Sequence, residues 1–347
     1  MYSLKKNKNS VNKFIVSNSK ATFSNSDGIY EILNNNEIYK GSLVNYHQND
    51  DFIIIEKNFE GDKQIINGEI VQELNSGIDG IQKIIDTDYI IRTCYSDDYS
   101  TSYLTKFNIN LKEDIWKINF TEVVFFYVLK NQILLGYADK VSLHNLLDLS
   151  MIWIKNYEGF SLTKCIGKFK NELILVVGEH ILLSIDVETG ETLHKWHELK
   201  GFEVGATYKD VLPDTSSFVL DESSAKLIGV FHTYYFEIDL ISREITYIQL
   251  EKELSGHSIR NLKSVSDNPF TSIHLYLTAD ITLEEFPNTD LNAVLALNRD
   301  TKKVDWVYTF KESGIGTNIP QINDTHLFIL DLEGTLHIFE KSTPTVV

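Results

Sequence analysis

The four tryptophans of this chain, Trp116, Trp153, Trp196 and Trp306, each close a similar apolar-turn-apolar unit. The sharpest copy, residues 182–196, reads Leu-Leu-Ser-Ile-Asp-Val-Glu-Thr-Gly-Glu-Thr-Leu-His-Lys-Trp. An apolar strand runs into Asp186, turns through Thr189 and Gly190, and returns as a second strand. Residues 107–116, 143–153 and 297–306 repeat the pattern, and a fifth copy beginning at Tyr235 carries Tyr247 where the others carry Trp. A fixed unit recurring at roughly 35 to 60 residues is the signature of a propeller or a solenoid.

Each unit holds about four short runs rich in Ile, Val, Tyr, Phe and Leu, separated by Asn, Asp, Gly and Ser turns. No long segment has a helical period. Four antiparallel strands per repeat make the blade of a β-propeller, and a lone blade cannot bury both faces, so the blades must stack into a ring. The expectation is an all-β protein with a single propeller domain over residues 1–347 and disordered ends at 1–10 and 342–347. The count points to seven blades, with eight also compatible. The ring is expected to close by pairing N- and C-terminal strands: residues 13–16, 28–33 and 37–40 complete a blade with the hairpin at 326–339, leaving no open edge.

The phrase at 182–196, and the similar one from Leu295 to Trp306, resemble the repeat of the pyrroloquinoline-quinone-type propellers. The resemblance implies a fold in which Trp locks one blade against the next, and it carries no activity with it. The quinone-dependent enzymes of that superfamily use an adjacent Cys-Cys pair and acidic metal ligands. Cys94 and Cys165 are the only cysteines here and lie far apart, which points to the non-enzymatic branch and to no cofactor.

The N-terminal stretch carries Lys5, Lys6, Lys8 and Lys13 but no apolar core of the length a secretory leader needs. No run is long and apolar enough for an ordinary spanning helix. Two strand-borne cysteines read as small buried hydrophobes, not as a disulfide framework. A cytoplasmic monomer is the expectation. The net charge of −17 argues against nucleic acid, whose phosphates call for a basic stripe, and against anionic membrane surfaces.

In a four-stranded blade, the connection from strand two to strand three and the connection to the next blade emerge at the same end. The long connections here, residues 96–102, 197–215, 251–268 and 280–290, are of those kinds and hold thirteen acidic against five basic residues. Acidic side chains beside aromatic anchors suit a basic protein partner, with charge speeding encounter and rings supplying buried contact. The candidate contact residues are Asp97, Asp98, Tyr99, Glu198, Phe202, Glu203, Tyr208, Asp210, Asp214, Glu284, Glu285, Phe286 and Asp290. The leading expectation is a non-enzymatic protein-binding propeller, in its specific form an immunity or inhibitor protein of a toxin. Two alternatives stay open: aromatics that tuck back onto the rim of an ordinary loop, and a carbohydrate-active or small-ligand propeller with its site at the central channel.

Catalytic and metal signals are weak. His194 and His197 are three apart in a strand, where alternation turns them to opposite faces and away from a shared metal. The pairs Asp97-Asp98 and Glu284-Glu285 lack the alternating oxygen ligands of a dedicated calcium loop. There is no Gly-rich phosphate loop, nucleophile elbow or Cys-x-x-Cys motif.

Overall fold

The computed structural model describes residues 2–17, 20–50, 53–57, 62–67, 70–75, 81–86, 88–96, 100–157, 159, 161–263, 265, 267–282, 292–311 and 313–341. Within them the chain is an all-β propeller of four-stranded antiparallel blades with almost no helix. Four-stranded sheets number eight among the described residues, the larger of the two counts the sequence allows. Blades 1 to 7 cover residues 13–40, 45–75, 81–119, 123–156, 162–196, 219–249 and 259–309. Blade 8 combines residues 321–341 with the N-terminal strand Tyr2–Lys8. The strands of each of blades 1 to 7 are lettered A to D in chain order. The A strands of neighbouring blades abut one another around the axis, and the D strands form the outer rim.

Closure follows the expected principle with different strands. Residues 13–16, 28–31 and 37–40 do not complete the C-terminal blade. They pair with Ala21–Ser24 as a blade of their own, and this makes the eighth. Only Tyr2–Lys8, within the end expected to be disordered, crosses to the last blade, running antiparallel to Leu336–Lys341 with Tyr2 opposite Lys341. Tyr2 secures that strand from inside. Its hydroxyl lies 2.9 Å from that of Tyr276, and its ring packs against Trp306 at 5.4 Å. Residues 342–347 lie outside the described residues.

Strand character follows radial position. Strands B and C are buried on both faces and read as apolar runs, as in Leu173, Ile174, Leu175, Val176 and Val177 of blade 5, all at most 2% exposed. The D strands alternate with solvent, and Met151, Ile152 and Ile154 of blade 4 are exposed.

The C–D turns of blades 3, 5, 6 and 7 repeat one construction. An Asx side chain at its head accepts hydrogen bonds from the backbone N–H groups two or three residues on: Asn108 from Asn110 and Leu111, Asp186 from Glu188 and Thr189, Asp239 from Ile241 and Ser242, and Asn298 from Asp300 and Thr301. The residue four past the head then takes a positive φ and donates its N–H back to the head carbonyl, as at Lys112, Gly190, Arg243 and Lys302. Glycine is free at such a φ, yet only Gly190 of these four is glycine, so conformation alone does not choose it. A Cβ on Gly190 would meet the Trp153 ring of the preceding blade at 2.8 Å.

Register refines the tryptophan pattern. In blades 3, 4 and 7 the residue two before the turn head faces Trp116, Trp153 and Trp306, but in blade 5 the corresponding Ser184 faces His194. Trp196 lies two residues further along its strand. Tyr247 is also displaced, because blade 6 lacks the irregularity that the C–D ladder carries in these other blades. The locking role holds across three seams. Trp116 Nε1 donates to Leu146 O at 2.9 Å, Trp153 Nε1 to Val187 O at 2.8 Å, and Trp196 Nε1 to Arg243 O at 3.0 Å, each acceptor being in the next blade.

Candidate functional site: the two ends of the ring

The end carrying the B–C connections and the links between blades is where the sequence places its acidic contact residues. Asp97, Asp98, Tyr99, Glu284, Glu285, Phe286 and Asp290 lie outside the described residues. The remaining six belong to the link between blades 5 and 6, which folds as an antiparallel hairpin of Glu198–Val204 and Tyr208–Val211.

An irregularity in the pairing between Glu198 and Glu203 decides which side chains of the first hairpin strand are offered. Leu199 and Phe202 point inward, while Glu198 and Glu203 are exposed. Phe202 is 1% exposed and meets Tyr234, Phe236 and Tyr247 edge-on at 5.1 to 5.4 Å. Tyr208 packs edge-on against Phe231 at 4.6 Å and His180 at 5.5 Å. Of the expected interface anchors, Phe202 and Tyr208 are thus spent on the propeller rim, because packing these rings on blades 5 and 6 is what holds a short hairpin in place. Asp214 is also engaged, accepting from Ser216 N at 2.9 Å at the head of a turn. Asp210 sits at φ 55° and accepts from Gly201 N at 2.7 Å, with its residue exposed. Glu198, Glu203 and Asp210 therefore remain as outward carboxylates, interleaved with exposed Lys200 and Lys209.

The segment 251–268 does not stay at this end. Residues 251–258 do, but Ile259–Leu262 is strand A of blade 7 and runs to the opposite mouth, so residues 263–268 begin a long A–B connection there.

At that opposite end the C–D turns join blade to blade through ion pairs. Arg243 of blade 6 binds Glu172 of blade 5 with two hydrogen bonds at 2.8 and 2.5 Å. Arg299 of blade 7 reaches Asp221 of blade 6 at 2.5 Å, and Lys302 reaches Glu237 at 2.7 Å. Burial acts to raise the Glu237 carboxyl, but hydrogen bonds from Lys226, Lys302 and Tyr235 outweigh it and bring the pKa down to about 2. Asp221 is driven well below the carboxylate range in the same way: burial opposes, and Ser223, Ser224 and Arg299 prevail.

A cavity of about 400 Å³ opens at this mouth, lined by Tyr127 of blade 4, Ile166 and Gly167 of blade 5, Phe218, Leu220 and Glu222 of blade 6, residues 267–270 of blade 7 and Ile322 of blade 8. Most of these side chains come from A strands or the turns that follow them, so the cavity lies along the central channel. Sequence reasoning singled out the channel but none of these residues. They come from five blades, and the only local signal is the Asp267-Asn268-Pro269 turn, which breaks the short-turn pattern of that end.

Cys94 is buried, and burial pushes the Cys165 thiol up to about 12. Among the described residues no three His, Cys, Asp or Glu side chains converge as a metal site, and no helix is long and apolar enough to cross a membrane.

No family model and no curated protein matches the chain. Solved structures do match in fold. The chain is similar to BamB from Moraxella catarrhalis with TM-score 0.58 and 11% identity, covering 98% of this chain and all of that one. It is similar to the computationally designed Ika8 protein with TM-score 0.59 and 10% identity over 96% of each chain. Saccharomyces cerevisiae Sqt1 gives TM-score 0.59 and 10% identity over 99% of this chain and 98% of that one. At such identities the likeness concerns the propeller architecture alone.

Proposed function

We propose that this chain is a protein-binding propeller that uses its long-connection end to hold a basic protein partner. The observation that carries the reading is the rim hairpin: Glu198, Glu203 and Asp210 project outward from a platform fixed by buried Leu199, Phe202 and Leu212. Carboxylates on a pre-ordered element speed the encounter with a basic surface without an ordering cost on binding. The strands that flank residues 97–99 and 283–290, ending at Tyr95 and Ile281, run to this same end and would bring further acid to it. In its specific form the protein is a cytoplasmic monomer that occludes a basic toxin, as an immunity protein does.

The test is capture of basic proteins from the source cell by the wild-type chain and by Glu198→Lys/Glu203→Lys/Asp210→Lys, at low and high salt. A basic partner held by the wild type and released by the variant and by salt supports the reading. Equal capture by both chains sinks the role of the hairpin. Asp210→Lys also loses the bond from Gly201 N, so the control is Glu198→Lys/Glu203→Lys, whose exposed side chains make it melt within a few degrees of the wild type and separate lost binding from lost folding.

A further inference from the structure

We propose that the cleft where the last blade meets the first binds the dianionic phosphate of a small phosphomonoester. This inference is independent of the protein-binding reading and concerns the seam at which the ring closes.

The cleft follows from the closing strand. The seams between blades 3 and 4, 4 and 5, and 5 and 6 are each bridged by an indole of the outer strand. The outer strand of blade 8 is Tyr2–Lys8, and its only aromatic, Tyr2, is turned to Tyr276 and Trp306 of blade 7. Toward blade 1 it presents Lys6 and Lys8, and a cavity of about 360 Å³ is left between them and Phe23, Asn25, Tyr30 and Asn35.

The polar groups at this cavity are donors. Lys8, 7% exposed, gives an N–H to Asn35 Oδ1 and stands 4.6 Å from the centre of the Phe23 ring, whose neighbour is the stacked Tyr30. The rings therefore support the lysine, and recognition falls to the polar groups. Asn35 spends its oxygen on Lys8 and keeps its amide nitrogen as a donor. Asn25 Oδ1 accepts from the backbone N–H groups of Asp27 and Gly28 at 2.9 and 3.1 Å, so its amide nitrogen is a donor too. Reversing either amide would set donor against donor, which fixes both orientations. Lys5 is paired with Glu340 at 2.8 Å, whereas exposed Lys6 has no acidic partner among the described residues, and the lining holds no Asp or Glu. Burial, with the charge of Lys6 beside it, brings the Lys8 ammonium down to about 8. Two like charges without a counter-charge are what a dianion relieves, and the acids elsewhere on the chain are screened beyond about 10 Å. A carboxylate offers one charge. A phosphomonoester offers close to two at neutral pH and three acceptor oxygens, enough to answer both ammoniums and the amides.

The experiment titrates the full chain at pH 8 with glycerol 3-phosphate, inorganic phosphate, acetate and glycerol, followed by calorimetry in two buffers of different ionisation enthalpy. Saturable binding is expected for both phosphates, binding roughly ten-fold weaker for acetate, and none for glycerol. Lys8 is about half protonated at that pH and a bound dianion raises its pKa, so binding takes up roughly half a proton and weakens as pH rises past 8. Lys6→Gln/Lys8→Met should weaken phosphate binding by roughly ten-fold or more and abolish the uptake. Lys6→Gln alone, at an exposed side chain, leaves the closing strand in place and should weaken binding roughly three-fold with the uptake retained, which separates a lost site from a loosened strand. The proposal is overturned by no saturable binding of either phosphate to the wild type, by equal affinity for acetate, by binding without proton uptake, or by undiminished affinity in both lysine variants.

Discussion

The two ends of this ring use the same chemistry in opposite ways. At the short-connection end the carboxylates are spent on structure: Glu237 and Asp221 have side chains 16% and 5% exposed and bind cations from the next blade. At the long-connection end the Glu198 side chain is 66% exposed, with His197 beside it at 3.5 Å. A paired, half-buried carboxylate helps fix blade position, whereas a solvated one contributes little to stability and stays available to a partner. The acidity of the chain is therefore not one property. Part of it holds blades together and part of it faces outward.

The sharpest way to break this contrast is Trp153→Ala. The indole donates to Val187 O, lies over Gly190 and packs the outer strand of blade 4 onto the C–D turn of blade 5. Its removal should cost about 4 kcal/mol in denaturant unfolding and lower the midpoint of the whole transition, because a cavity opens at a blade seam. A local effect confined to blade 4 would contradict the assignment of this end as the structural seam.

Phe202→Ala probes the other end. It removes a ring buried among Tyr234, Phe236 and Tyr247 and should cost about 3 kcal/mol. Here the loss should be read locally, as faster amide exchange over residues 198–211 while the strands of blades 5 and 6 keep their protection. Uniform loss of protection would mean that the hairpin is part of the cooperative core.

The smallest effect is a titration. Glu237 has its folded pKa depressed to about 2, against an unfolded value of about 4.3, so its contribution is present above about pH 5 and is lost as pH falls toward 2. Allowing for partial solvent screening, it is worth on the order of 2 kcal/mol. Glu237→Gln should lower stability at pH 7 and flatten the acid limb of the stability curve between pH 5 and 2. An unchanged acid limb would show that the bond from Lys302 does not carry the seam.

Much of the architecture was legible in local chemistry. Asn and Asp before a turn, followed by a residue at positive φ, recur because the C–D hairpins of blades 3, 5, 6 and 7 are each closed by their own side chain and backbone within five residues. Apolar runs in strands B and C and alternation in strand D follow radial depth, which the chain spells out strand by strand. Register was less legible: Tyr247 keeps the spacing of Trp153 from its turn head but faces a different position because the blade 6 ladder lacks the irregularity, and Trp196 lies two residues further along its strand. The N-terminal runs at 13–16, 28–31 and 37–40 are legible as strands but form a local blade with Ala21–Ser24 and not with the C-terminal hairpin, while the closing strand Tyr2–Lys8 is not legible because its partner, Leu336–Lys341, lies hundreds of residues away and leaves no local trace.

The candidate sites divide in the same way. The sequence determined a ring of four-stranded blades, the locking tryptophans and an acid-rich set of long connections, because turn geometry, strand alternation and loop length are properties of contiguous residues. Tertiary structure decided that Phe202 and Tyr208 face the rim, that residues 263–268 cross to the other mouth, and that Tyr127, Glu222 and Asn268 share one cavity. Those outcomes depend on which blades meet around the axis, and side chains from five blades converge only once the ring has closed.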